Sequence, residues 1–213
     1  MFSGIVEETS EVLSAEAGDQ SMRIWVKRPV SFQDIALGDS IAVNGTCLTV
    51  EQMTDEGLLF ALGAETLKVL GLTDPASLKT KPVNLERSMR LGDRVHGHLV
   101  SGHVDLMAEI TEAKSLGDSW LIRVKLPAGA KAALWKKGSI TLNGVSLTVN
   151  EYTGDSQENK SVEVCLIPET IKRTNLTAYK VGERLTVEFD WMAKGVLNAL
   201  QNMDLKQILD MKV

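Results

Sequence analysis

The chain is written twice, and that constrains its fold more than any other feature. Gly38-Asp39-Ser40-Ile41-Ala42-Val43-Asn44-Gly45-Thr46-Cys47-Leu48-Thr49-Val50 returns as Lys137-Gly138-Ser139-Ile140-Thr141-Leu142-Asn143-Gly144-Val145-Ser146-Leu147-Thr148-Val149. Phe2-Ser3-Gly4-Ile5-Val6 returns as Val100-Ser101-Gly102-His103-Val104, Val26-Lys27-Arg28-Pro29 as Val124-Lys125-Leu126-Pro127, and Glu65-Thr66-Leu67-Lys68 as Glu169-Thr170-Ile171-Lys172. The matches keep their order, and their spacing drifts by about five residues, an insertion that a polar loop at 153–160 tolerates. Four ordered matches are not a coincidence. We read two copies of one domain, residues 1–96 and 97–190, followed by a tail, residues 191–213.

Each copy reads as β-rich. Ile24–Lys27, Ser40–Val43, Cys47–Val50 and Leu58–Leu62 are short apolar or alternating runs bounded by Gly, Asn-Gly and Asp-Glu-Gly turns. Asn44-Gly45 and Asn143-Gly144 are hairpin signals, because a type I′ turn needs positive φ at both central residues. Many short strands closed by tight turns predict a small barrel in each half. Aromatic residues make up 5% of the chain, so the two cores must be mainly aliphatic. Two segments break the pattern and read as short helices, residues 128–135 and their counterpart 31–36.

The tail is different. From Trp191, the residues Val196, Leu200, Met203, Gln207 and Met211 recur at helical spacing, flanked by Leu197 and Ile208. This amphipathic helix has no third domain to cover, so its stripe lies on a barrel or meets its copies in an oligomer; Gln207 within it suits a helix–helix seam.

The formal charge of −5 argues against nucleic acid as a partner. No apolar run is long enough to span a bilayer. The start, Met1 to Glu8, lacks the basic and apolar regions of a signal peptide, so the expected location is the cytoplasm. There Cys47 and Cys165 would not form a disulfide framework, and Cys165 reads as a small buried hydrophobe.

Taken together, the start Met1 to Val6, the paired strings at 44–50 and 143–149, Gly97-His98-Leu99-Val100-Ser101-Gly102-His103-Val104-Asp105 and Leu166-Ile167-Pro168-Glu169-Thr170 resemble the riboflavin synthase family. The resemblance covers nearly the whole chain. It implies an all-β protein of two tandem six-stranded Greek-key barrels with a C-terminal helix. It also implies a homotrimer with active sites between subunits, and names lumazine synthase as a candidate partner. The implied reaction takes two molecules of 6,7-dimethyl-8-ribityllumazine, moves a four-carbon unit from one to the other, and uses no cofactor or metal.

The resemblance places His103, Cys47, Ser146, Asp190 and Ser40 in catalysis. Substrate would lie against Phe2, Gly4, Ile5, Val6, Leu48, Thr49, Gly102, Val104, Leu147 and Thr148, with Lys137 near the ribityl chain. Two further strings complete the pockets, Ala61-Leu62-Gly63-Ala64-Glu65-Thr66 and Leu166-Ile167-Pro168-Glu169-Thr170-Ile171. Divergence between copies marks roles: Cys47 stands opposite Ser146 and His103 opposite Ile5, while Thr49 and Thr148 agree. A histidine suits proton transfer near neutral pH. The plainer readings are that the Ser and Thr hydroxyls satisfy strand-end backbone, Glu65 and Glu169 are helix N-terminal charges, Lys137 is surface charge and His98 is structural. His96 departs from a glycine usual in the family.

Three rivals remain at this level. A chromoprotein of the same fold would bind one lumazine or flavin without turnover. A flavin reductase would need a dinucleotide-binding domain, and no G-x-G-x-x-G is present. A ligand-free barrel pair would leave the polar strings without a purpose.

Overall fold

The computed structural model describes residues 1–128, 130, 133–154 and 160–202. The first half contains β1 (Glu8–Ser10), β2 (Val12–Gly18), β3 (Ser21–Lys27), β4 (Ser40–Val43), β5 (Thr46–Met53), β6 (Gly57–Gly63), helix α1 (Ala64–Leu70) and β7 (Val83–Arg87). The second contains β8 (Leu106–Leu116), β9 (Ser119–Lys125), β10 (Ser139–Leu142), β11 (Val145–Thr148), β12 (Glu151–Thr153), β13 (Ser161–Leu166), α2 (Pro168–Arg173) and β14 (Arg184–Phe189). Helix α3 (Trp191–Asn202) follows.

All pairings are antiparallel, in the orders β1-β7-β4-β5-β6-β3-β2 and β11-β10-β14-β8-β9-β13-β12. The first order begins and ends on two pieces of one strand, broken at Glu11; the second begins and ends on β11 and β12, broken at Val149 and Asn150. Joining the pieces gives six strands in a closed ring in each half, with the same neighbour relations. Closure removes the exposed sheet edges that a lone antiparallel sheet would carry. The two sheets are the expected Greek-key barrels, cut at different places.

Strand alternation sorts the residues. Ile24, Leu48, Val50, Leu58 and Phe60 fill the first barrel, and Ile122, Ile140, Leu147, Val164 and Val187 the second. Both Asn-Gly turns have the expected form, with φ of 47° and 80° at Asn44 and Gly45 and of 46° and 80° at Asn143 and Gly144. The turns also meet each other. A Cβ on Gly45 would lie 2.7 Å from the Gly144 amide nitrogen, and one on Gly144 equally close to that of Gly45.

A crossed amide network surrounds this contact. Asn44 Oδ1 accepts from the Asn84 amide and Asn143 Oδ1 from the Thr186 amide, both at 2.9 Å, so each turn is tied to the last strand of its own barrel. Asn84 then donates to the Asn143 carbonyl at 2.8 Å, and Thr186 to the Asn44 carbonyl at 2.7 Å, tying each strand to the opposite turn. Buried polar groups tolerate burial only when partnered in this way.

Three expectations are corrected. Residues 31–36 form turns, with Phe32 bonded back to the Pro29 carbonyl at 3.0 Å and Asp39 accepting from the Ala36 amide at 2.9 Å. Phe32 and Ile35 instead fill the core of the first barrel, and the backbone between them turns to place both there. In 128–135, residues 129, 131 and 132 lie outside the described set, and the others are not helical. Cys165 is half-buried on the outer face of β13, because the alternation puts Val164 and Leu166 inside. The insertion at 155–159 and Met203, Gln207, Ile208 and Met211 also lie outside the described residues.

Candidate functional site

On β5, Leu48 and Val50 point into the barrel, so Cys47 and Thr49 must point out; on β11 the same alternation turns Ser146 and Thr148 outward and buries Leu147. Leu48 and Leu147 can therefore offer a ligand on this face only their backbone. Each outward pair meets a segment that starts in the other half. The Cys47 amide donates to the Gly102 carbonyl at 2.8 Å, and the Ser146 amide donates to the Gly4 carbonyl at 2.7 Å. The segments also pair together, Phe2 with Val100 in both directions at 2.8 and 3.0 Å. Phe2 is buried there against Ala42, Val100 and Cys47, while Val6 enters the core of the second barrel.

This exchange builds a cavity of 220 Å³ beside Cys47. Thr46 and Cys47 form one wall, Glu65, Thr66, Val69 and Leu70 of α1 another, and Gly102, His103 and Val104 the third. His103 is exposed in that wall, and Ile5 occupies its equivalent position by the second barrel, 43% exposed. Gly63 and Ala64 lie exposed at the start of α1, with Leu62 in the core and Ala61 half-buried. In the second half, Ile167, Pro168 and Glu169 are exposed at the start of α2, Thr170 and Ile171 are half-buried, and Leu166 is in the core. Glu169 is paired with Arg173 on its own helix, and this partner holds its carboxyl below the usual range.

The serine side differs in its proton chemistry. His98 Nδ1 lies 2.7 Å from Ser146 Oγ, and its Nε2 lies 3.2 Å from Thr141 Oγ1. Burial lowers the His98 pKa, against a smaller upward pull from the Asp190 charge, so the ring is neutral near pH 7. A neutral ring that accepts the Ser146 proton at Nδ1 carries its own proton on Nε2 and gives it to Thr141. His98, read from sequence as structural, thus touches the serine most directly. Its neighbour Asp190 caps α3, accepting from the Ala193 amide at 2.9 Å. Ser40 opens β4 opposite Thr49, and its carbonyl accepts from the Ser88 amide at 3.2 Å. Lys137 is exposed at φ 69°, a left-handed conformation that costs a non-glycine residue roughly 1 kcal/mol. Its counterpart in the first half is Gly38, at φ 89°.

The sequence also hid a pair of carboxylates. Glu86 accepts from the Ser3 amide and hydroxyl at 2.7 and 2.9 Å and from the Gly4 amide at 3.0 Å. Glu188 accepts from the Ser101 amide and hydroxyl, both at 2.7 Å, and from the Gly102 amide at 2.9 Å. The match of Leu85-Glu86-Arg87 with Val187-Glu188-Phe189 carries the signal, and a longer self-alignment would find it.

Burial pushes the Glu86 carboxyl up to about 7 from a usual 4.5, although the Ser3 and Gly4 donors pull it down. Unfolded, Glu86 titrates at the lower value, so between the two pH values the folded chain holds the extra proton. Stability from this group is therefore full below about pH 4.5 and falls as pH rises to about 7, by at most on the order of 3 kcal/mol. Urea titrations of the wild type and Glu86→Gln across this range should show the wild type losing ground to the variant as pH rises. A constant difference between them would contradict this.

Among the described residues, no three His, Cys, Asp or Glu side chains converge as a metal-ligand set. No described helix is long and apolar enough to cross a membrane.

Comparison with known proteins agrees with this architecture. The family model described as "Lumazine binding domain" matches twice, over residues 3–88 and 101–190. The riboflavin synthase of Mycobacterium tuberculosis is 42% identical over 92% of this chain and 96% of its own. That of Bacillus subtilis is 39% identical over 91% of this chain and 87% of its own. Among solved structures, LumP complexed with 6,7-dimethyl-8-ribityllumazine superposes with a TM-score of 0.75 at 21% identity, covering 88% of this chain and 98% of that one. LumP complexed with flavin mononucleotide gives 0.73, also at 21%, over 89% and 99%. Two matched domains and this level of identity over nearly full length place the chain in the riboflavin synthase family of lumazine-binding proteins.

Proposed function

We propose that this chain is a transferase that converts two molecules of 6,7-dimethyl-8-ribityllumazine into riboflavin and 5-amino-6-ribitylaminouracil. The observation that carries the proposal is a pair of equivalent outward faces, Cys47 with Thr49 and Ser146 with Thr148, with unequal proton chemistry. Cys47 has the exposed imidazole His103 in its wall, whereas Ser146 is bonded to the neutral, half-buried imidazole His98. One substrate must lose a proton from its C7 methyl group, and the other must accept a nucleophile or polar partner at C7. Two equivalent faces with two chemistries suit identical molecules with different parts to play. Fixing both reactants can contribute roughly 7–11 kcal/mol to lowering the barrier. The lumazine ring is its own electron sink, and the four-carbon transfer balances without an oxidant.

The remaining residues fit supporting parts. Lys137 keeps a strained backbone and an exposed side chain, as a residue retained for a ligand would. We assign it to the ribityl chain, and Thr49, Thr148, Glu65 and Thr66 to the polar edges of the rings. The unpaired thiols Cys47 and Cys165 suit a reducing, cytoplasmic setting.

The assembly we propose is a homotrimer in which the Cys47 pocket of one subunit faces the Ser146 pocket of another. Trp191, Met192, Val196 and Leu200 leave the apolar stripe of α3 at least half exposed, a face that a helix–helix seam would cover.

The test is incubation of purified protein with the lumazine alone. Riboflavin absorbance should rise, one molecule for every two substrates consumed, and light scattering of the same sample should give three chain masses. Stoichiometric binding without turnover would replace the enzyme by a chromoprotein. A fully active monomer would end the shared-site assembly.

A further inference from the structure

Among the features that the reaction leaves unused are the buried carboxylates on the last strand of each barrel. Glu188 belongs to the second barrel, is 2% exposed and makes no contact with the Cys47 cavity. Its side chain bonds to the segment that forms the third wall of that cavity. Glu188 Oε1 accepts from the Ser101 amide and hydroxyl, and Oε2 accepts from the Gly102 amide. Two further bonds carry this grip to the reactive groups. Ser101 Oγ accepts from the His103 amide at 3.2 Å, and the Gly102 carbonyl accepts from the Cys47 amide at 2.8 Å. Glu86 mirrors it from the first barrel, holding Ser3 and Gly4, whose carbonyl takes the Ser146 amide.

We propose that Glu188 and Glu86 are crossed positioning residues, each set in one barrel and shaping the reactive pocket on the other. Glu188 sets His103 against Cys47, and Glu86 sets Gly4 against Ser146. The physical reason is geometric. A carboxylate offers acceptors to three donors at once, which fixes both the direction of the segment and its distance from the strand. The segments have no regular secondary structure beyond the Phe2–Val100 bridge, so single hydrogen bonds such as these set their direction. A glutamine in the same place would turn an N–H toward at least one of the backbone donors. The segment would then shift without losing its side chains.

The turnover readout of this inference rests on the proposed lumazine reaction, and its other two readouts do not. Glu188→Gln should lower kcat by roughly tenfold to a hundredfold with little change in KM, as a misplacement near 1 Å does. In the same variant, the ring NMR signals of His103 should move and the alkylation rate of Cys47, followed by peptide mass, should change. Ser101→Ala removes only the hydroxyl link between Glu188 and the His103 amide. It should reproduce these changes in weaker form, and it decides the question if the glutamine variant does not fold. Glu86→Gln should leave His103 signals in place and alter those of His98, which bonds Ser146. A lower Tm with wild-type kcat, His103 signals and Cys47 reactivity in both Glu188→Gln and Ser101→Ala would overturn the proposal, reducing Glu188 to a structural anchor. An inactive wild type would instead count against the lumazine reaction, and the NMR and alkylation results would still judge the positioning role.

Discussion

Replacing His103 by alanine should lower turnover by about two to four orders of magnitude, the usual contribution of a placed acid–base group. The ring stands exposed in the wall of the Cys47 cavity, and the fold's contacts in this segment are made by the backbone and by Ser101. The variant should therefore unfold at nearly the wild-type urea concentration, and the loss should fall on kcat more than on KM. Cys47→Ala is the companion measurement, because the thiol shares that cavity and is the point where the first copy departs from Ser146. Steady-state rates with the lumazine, beside a denaturation curve for each variant, decide the matter. Wild-type turnover in both would remove these two residues from the reaction.

Gly102→Ala should cost stability and activity together. The residue sits at φ +82°, and a Cβ there would lie 2.5 Å from the Cys47 Cβ, 2.9 Å from Phe2 and 3.0 Å from the Cys47 amide nitrogen. The left-handed backbone costs about 1 kcal/mol for an alanine, and overpacking adds about 1–3 kcal/mol, so a loss of about 2–4 kcal/mol is expected. Gly117→Ala is the control, since it shares a positive φ of 60° but has nothing within 4 Å. It should lose only the backbone part. Gly4→Ala should resemble Gly102→Ala, because its Cβ would meet the Ser146 Cβ at 2.7 Å. Equal losses for Gly102→Ala and Gly117→Ala would mean that the close approach to Cys47 is not maintained in solution.

The two outward faces are legible in the sequence. Cys47 with Thr49 and Ser146 with Thr148 could be paired because a strand turns alternate residues to one face, so two polar residues two apart share an exposure. Asn-Gly marked both hairpins because few other pairs accept positive φ twice. The contacts of His98 are not legible there, for a physical reason. It bonds Ser146 and Thr141, both far along the chain, and no local pattern encodes either contact. The segment 31–36 reads as a helix only through its place opposite 128–135, and the burial of Phe32 and Ile35 in the barrel core decides its backbone instead.

By itself the sequence determined the duplication, the strand period, the turn types and the family, since each is written in local residue choice or in matches along the chain. Only the tertiary structure decided which pocket each copy's arm completes. Gly4, Ile5 and Val6 open the first copy yet serve Ser146 and the second core, while Gly102, His103 and Val104 open the second yet wall the Cys47 cavity. The exchange follows from packing. The Asn-Gly turns press Gly45 against Gly144, which brings the barrels into contact. Phe2 and Val100 then pair across that contact and send each arm to the neighbouring barrel.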